Sequence, residues 1–182
     1  QGLLPNNYTR SLSILANEDA FNYNVIYTPG LTSENAASVI TSLIALSEDR
    51  GDNIAVVDMV GYGRSMTNAK TQAAGYNSSY AATYWPWVSI RSRETGKANF
   101  IPASTLIPAI YEYNDKVSAE WFAPAGLNRG GMSTVLRPER RLTVDDRNYL
   151  YSGKVNPIAA FPAVGTVVYG QKTLQAKPSA LD

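Results

Sequence analysis

The chain contains no cysteine and no histidine in 182 residues. Without cysteine there is no disulfide framework, thiolate nucleophile or thiolate metal site. Without histidine the Ser-His-Asp triad, imidazole base chemistry and most zinc sites are excluded as well. Charge is also sparse: 17% of the residues are charged, against ~25% in an average globular domain. Sixteen basic and fifteen acidic residues leave a net charge of +1, which gives no electrostatic footprint for nucleic acid or an anionic membrane. No apolar run approaches the ~20 residues of a membrane span. Residues 1–16 lack the basic head and apolar stretch of a signal peptide. These absences predict no catalytic, cofactor-binding or metal site, and no nucleic-acid or membrane partner.

What is present suits one packed domain. The hydrophobic share is 45%, and a chain of this size buries roughly 70% of its unfolded surface. Residues 1–20 are polar and mixed and read as a loop with one short strand or turn, a linker or the end of a preceding segment. Residues 21–28 alternate aromatic or β-branched residues with asparagine, a strand pattern that Pro29-Gly30 ends. Thr32 or Ser33 then caps a helix. Its apolar stripe is Ala36, Val39, Ile40, Leu43, Ile44 and Leu46 at helical spacing, and Gly51 stops it. Residues 53–60 form a nearly continuous apolar strand, as expected for one covered on both faces. Strand, crossover helix and strand make a βαβ unit. The fold class is therefore α/β, with a mixed sheet flanked by helices.

Further along, 65–75 reads as a short helix. Residues 80–90 are strand-like, and Pro86 requires an edge, a bulge or an end there. A turn at 94–97 returns 98–101 as a β-hairpin. A helix starts near Thr105 with Pro108 in its first turn. Residues 123–131 are loop, forced by Pro124, Gly126, Gly130 and Gly131. Thr143 caps a helix with Asp145 and Asp146 in its first turn and Gly153 after its end. Residues 155–174 give two strands around Phe161-Pro162 and Gly165, and 175–182 form a polar tail. There is no internal repeat.

Candidate sites are few, and each has a plainer reading. Gly61-Tyr-Gly-Arg64 follows a strand, where α/β folds bind ligands. Met66 stands where a dinucleotide fingerprint needs its third glycine, so loop punctuation is the better reading. Asp58 lacks a second carboxylate and suits a loop hydrogen bond or an intersubunit ion pair. Asp145 and Asp146 suit a helix start. Arg137, Arg140 and Arg141 form a small basic cluster that suits a solvated face or a salt bridge. Trp85, Trp87, Tyr111 and Trp121 are candidate core or interface anchors, or a sugar-stacking row if exposed. A small α/β hydrolase or transferase using Asp58 with Ser or Tyr residues is the alternative. A pocket with two or more perturbed ionisable groups would favour it.

Trp121-Phe-Ala-Pro-Ala-Gly-Leu-Asn-Arg-Gly130 and the pair Asn156-Pro-Ile158 with Tyr169-Gly170-Gln-Lys-Thr-Leu174 resemble the core domain of contractile phage tail sheath proteins. The order of the other segments fits as well: 23–30 ending in Pro-Gly, 35–58, Tyr84-Trp-Pro-Trp-Val88, Ile101-Pro-Ala-Ser104 through Tyr111, Arg147 to Leu150, and Phe161-Pro162. Pro108-Ala109 replaces an Ala-Gly common in that family. In Trp121 to Arg129 the aromatic pair is expected to plug the core, with Asn128 or Arg129 bonding loop carbonyls.

The resemblance implies a structural, non-enzymatic subunit with a sheath core domain at 21–174. It implies a core fragment whose terminal arms are missing, since sheath subunits extend well past the segment 178–182. Its partners would be neighbouring sheath subunits, joined through those arms, and a tail tube protein, and acidic groups on either would be a further option for pairing with Arg137, Arg140 and Arg141. Its place would be the virion, after assembly in the host bacterial cytoplasm. The 182-residue chain alone is then expected not to polymerise into tubes, which electron microscopy would reveal.

Overall fold

The computed structural model describes residues 5–177. The end of the predicted polar tail, 178–182, and Leu3-Leu4 lie outside the described residues. Among those described, no helix is long and apolar enough to cross a membrane.

A five-stranded sheet has the order β1-β2-β3-β7-β8. It is built from β1 (Val25–Thr32), β2 (Ile54–Asp58), β3 (Ala81–Trp85), β7 (Asn156–Phe161) and β8 (Gly165–Val168). The first four strands run parallel and β8 returns antiparallel to β7, so the sheet is mixed. A second sheet has the order β5-β4-β6, from β4 (Val88–Arg91), β5 (Ala98–Ile101) and β6 (Val135–Pro138), all antiparallel. The predicted hairpin is thus β4–β5. β6 widens it, and no strand was expected there.

Alternation along the parallel strands divides the core. Ala55 and Val57 of β2 face one side, with Ala81 and Trp85 of β3. There they meet helices α2 (Ser33–Arg50), α3 (Met66–Ala74) and α5 (Val144–Ser152) through Val39, Ile40, Leu43, Ala69, Ala73 and Leu150. Val56, Ala82 and Tyr84 face the other side, against Val88, Ala103, Ile107, Ile110 and Met132. That side carries a 3₁₀ turn at Ala103–Thr105 and α4 (Ile107–Val117). Ile40 and Leu43 are fully buried, and each contributes about 2 kcal/mol by leaving water.

The expected caps hold these helices. Asn35 Oδ1 accepts from the Thr32 N–H at 2.7 Å, and Gly51 takes the left-handed conformation after α2 at φ 71°. Around α5, Thr143 Oγ1 accepts from the Asp146 N–H and Asp146 Oδ2 accepts from the Thr143 N–H. This capping box accounts for Asp146, whose carboxyl is held below the usual range first by that backbone hydrogen bond. Thr143→Ala should therefore cost about 1 kcal/mol, read as a lower urea midpoint with unchanged slope.

Two expectations fail. Residues 1–20 are not loop: Pro5–Leu15 form a helix, α1. Leu12 is buried in the first core, with Tyr8 and Leu15 packed beside it. Spacings of four and three place these residues on one helical face, a signal masked by the polar residues between them. Second, Pro29-Gly30 does not end the first strand. β1 runs through it to Thr32, with a break in register between Tyr27 and Thr32. β1 is an edge strand, where a proline without an N–H is tolerated.

Candidate functional site

The two motifs that stand out in the sequence turn out to be backbone clamps. Gly126 donates its N–H to the Val168 carbonyl at 2.8 Å. Val168 donates to the Gly130 carbonyl, and Gly130 to that of Gly126, also at 2.8 Å. Met132 donates to the Thr166 carbonyl at 2.9 Å. The loop thereby covers the outer edge of β8. Gly126 needs its glycine for backbone conformation, at φ 89°. Gly130 needs it for space, since a Cβ there would lie 2.4 Å from the Val168 carbonyl oxygen.

The second motif carries the chain on from β8 along the same side of β7. Asn156 is fully buried. Its Nδ2 donates to the Lys172 carbonyl at 2.7 Å, and its Oδ1 accepts from the Lys172 N–H at 2.6 Å. One side chain thus extends the strand ladder. Tyr169 donates to the Pro157 carbonyl at 2.8 Å, and Gly170 lies too close to Pro157 to accept a side chain. The Arg147 guanidinium sits 5.0 Å and 5.2 Å from the rings of Phe161 and Tyr169.

Trp121 corrects the sequence reading. It is 86% exposed and Phe122 is 45% exposed, so the pair does not plug the core. The glycines anchor the segment instead. Arg129 does bond the loop as expected: its Nε donates to the Ala123 carbonyl at 3.1 Å. The remaining aromatics do not form a sugar-stacking row. Trp85 is buried, and Trp87 is half-buried, donating its ring N–H to the Val60 carbonyl.

A groove of about 430 Å³ runs between α4, the 120–124 loop and the starts of β1 and β2. Tyr84, Tyr111, Asn114, Trp121 and Lys172 are among its lining residues. Tyr84 and Tyr111 share a hydrogen bond of 2.7 Å between their hydroxyls. Burial pushes the Tyr111 hydroxyl up to about 12, and burial followed by the neighbouring tyrosine raises Tyr84 well above its ordinary value. These are two perturbed groups in one groove, but both move away from neutrality. Each keeps its proton at physiological pH, so neither tyrosine is poised for acid–base work, although Asp115, Glu120 and Lys172 line the same groove.

Asp58 lies elsewhere, buried at the carboxyl end of β2. It accepts from Ser104 Oγ at 2.6 Å and from the Ser104 N–H at 3.4 Å. Burial pushes its carboxyl up to about 6, against the lowering effect of those bonds. The expected loop hydrogen bond is what the structure contains, and it ties the 3₁₀ turn to the sheet. Among the described residues no group of three or more acidic residues could hold a metal.

The Gly61–Arg64 loop is closed to phosphate by the chain's own carboxylates. Gly63 donates its N–H to Glu139 Oε1 at 2.6 Å, Gly61 to Glu34 Oε2 at 3.4 Å, and Arg64 pairs with Glu34 at 3.2 Å. The three arginines do not converge. Arg137 lies over the Phe100 ring at 5.3 Å, Arg140 reaches Asp146 at 3.9 Å, and Arg141 is exposed.

Residues 5–174 match the model of the phage tail sheath protein central domain. The chain is 27% identical to the tail sheath protein of Salmonella phage ViI, over 97% of its own length and 28% of that protein. It is 29% identical to the tail sheath protein of Enterobacteria phage T4, over 65% and 19%. The chain therefore spans less than a third of these relatives. Among solved structures, the helical sheath of the anti-feeding prophage in its contracted state superposes with a TM-score of 0.72 at 21% identity, covering 97% of this chain and 46% of that one. The sheath complex of an extracellular contractile injection system gives 0.71 at 22%, covering 92% and 45%.

Proposed function

Because this chain belongs to the phage tail sheath protein family, we propose that it is a mechanical building block of a contractile tail. Copies surround a tail tube and repack during contraction to drive the tube through a target envelope. The observation that carries the proposal is the family match along 5–174, over a fold whose two signature motifs close β8 and fasten β7 through the backbone. Such clamps suit a body that moves as a unit. Contraction is then a rigid-body rearrangement between bistable packings, with no bond made or broken and no catalysis.

The core domain comprises the sheet and helices of 21–174, with α1 packed on them rather than standing apart as a linker. Terminal arms, which the resemblance places outside this chain, add strands to sheets of neighbouring subunits. In the described residues β1 carries no strand on its outer side, which leaves one edge for such an addition. Assembly takes place in the host bacterial cytoplasm and the product is part of the virion.

Immunogold microscopy with antibodies raised against the 182-residue chain tests this. Label distributed along the whole length of the tail is expected. Label confined to the head or the tail tip, or absent from intact tails, overturns the reading.

A further inference from the structure

The charges of this chain are balanced in number but segregated in space. Residues 88–101 and 135–141, which build the three-stranded sheet and the loop after it, hold six basic residues and two acidic ones, a local charge of +4. The remainder holds ten basic and thirteen acidic residues, −3. Arg91, Arg93, Lys97, Arg137, Arg140 and Arg141 are all exposed. Only Arg140 has an ion pair among the described residues. Asp145 and Asp146 at the start of α5 lie beside Arg140 and reduce this excess without cancelling it. The bond from Trp87 to the Val60 carbonyl fixes the basic sheet at the carboxyl end of β2.

Five of the fifteen acidic residues gather at the other end of that strand, about 16 Å away along five residues. Gly51 joins α2 directly to the start of β2, which places Glu48, Asp49 and Asp52 there. Arg50 donates to the carbonyls of Leu15 and Phe21, drawing Glu18 and Asp19 to the same place. All five carboxylates are exposed. The one arginine among them is committed to Asp52 at 2.6 Å and to those carbonyls. Glu48 and Asp49 occupy the last turn of α2, where the negative end of the helix dipole disfavours anions. Their position is one that the helix itself does not favour.

The basic face is prepared for carboxylates. Arg137 rests on Phe100, Phe100 packs on Tyr62 at 4.8 Å, and Tyr62 meets Trp87 at 6.0 Å. A guanidinium stacked on a ring keeps its edge donors open for a planar acid. Tyr62 and Leu136, both exposed, add apolar ground around it.

We propose that the outer face of the three-stranded sheet, carried by Arg91, Arg93, Lys97 and Arg137, is a self-docking surface that takes the acidic end of a second copy of this chain. Glu18, Asp19, Glu48 and Asp49 supply the matching charges. The proposal rests on the homopolymeric reading above and names its contact. Because the two patches differ, the interface is heterologous and relates neighbouring copies head to tail instead of closing a dimer; without the arms it gives the 182-residue chain only weak, short oligomers, not tubes.

Sedimentation velocity of the 182-residue protein over a range of concentration and salt is the test. Weak association that disappears at high salt is expected. Glu48→Lys with Asp49→Lys should weaken it roughly ten-fold while leaving the melting temperature unchanged or higher. Arg93→Glu with Lys97→Glu should weaken it to a similar extent. All four substitutions in one chain should restore it, a recovery that damage to the fold would not give. Association indifferent to both pairs, a fourfold variant that fails to recover, or a wild-type chain monomeric throughout would each overturn the docking surface. None of these results touches the tail-labelling test, which judges the sheath reading separately.

Discussion

Gly130→Ala lowers the melting temperature by about 9 °C, the equivalent of about 3 kcal/mol in a domain of this size. The new methyl group would stand 2.4 Å from the Val168 carbonyl oxygen, 2.9 Å from that of Gly126 and 3.0 Å from the Gly126 nitrogen. All three are backbone atoms, and they belong to the hydrogen bonds that fasten the loop to β8. Relief requires the loop to lift, which exposes the Val168 carbonyl and N–H to a half-buried environment without partners. Thermal unfolding followed by circular dichroism reads the loss. Trp121→Ala is the control: an 86% exposed side chain contributes within about 0.5 kcal/mol. If Trp121→Ala proved as damaging as Gly130→Ala, the clamp account would fail and the aromatic plug would return.

Asp58→Asn has the opposite sign and depends on pH. In the unfolded chain Asp58 titrates near 3.8, and in the fold burial raises it to about 6. Below 3.8 it is protonated in both states and contributes no difference. Between 3.8 and 6 the unfolded chain releases the proton while the folded one retains it, so stability falls as pH rises. Above 6 the full penalty is present, about 3 kcal/mol for the two-unit difference. Asparagine keeps an oxygen for the two Ser104 donors and carries no charge. Its amide hydrogens need acceptors, so the gain at pH 7 is about 2 kcal/mol, or about 5 °C. At pH 3.5 the variant should show no gain. Denaturation at both pH values checks this, and equal gains at the two would refute the buried-charge explanation. A buried carboxylate that weakens the resting domain at neutral pH, yet ties the 3₁₀ turn to the sheet, resembles strain retained for a reason other than stability.

Much of the fold was legible because local physics governs it. The stripe from Ala36 to Leu46, the Gly51 stop and the Thr143 cap each depend on residues within one or two helical turns. The continuous apolar run of β2 announced a strand covered on both faces. α1 was missed because three apolar residues, Tyr8, Leu12 and Leu15, had to be picked out from polar neighbours. β6 gave no signal, since Val135-Leu-Arg-Pro138 becomes a strand only by pairing with β4.

The motifs were recognisable long before their roles were. Trp121 looked like an anchor because large aromatics usually are, yet the small residues after it do the anchoring. Asn156 and Lys172 are 16 residues apart, and nothing local says that one side chain will replace a strand there. The charge balance misled in a similar way. A total of +1 describes a nearly neutral chain, while the fold places a basic excess on the three-stranded sheet and five acids near the start of β2.

The sequence alone determined the α/β class, the positions of most helices and the lack of thiol and imidazole chemistry, because composition and short-range periodicity act without knowledge of distant partners. Tertiary structure alone decided which glycine must remain a glycine, which tryptophan meets solvent, and where the acids and bases gather. Those outcomes depend on contacts between segments far apart in the chain, and only the folded backbone brings them within a few ångströms.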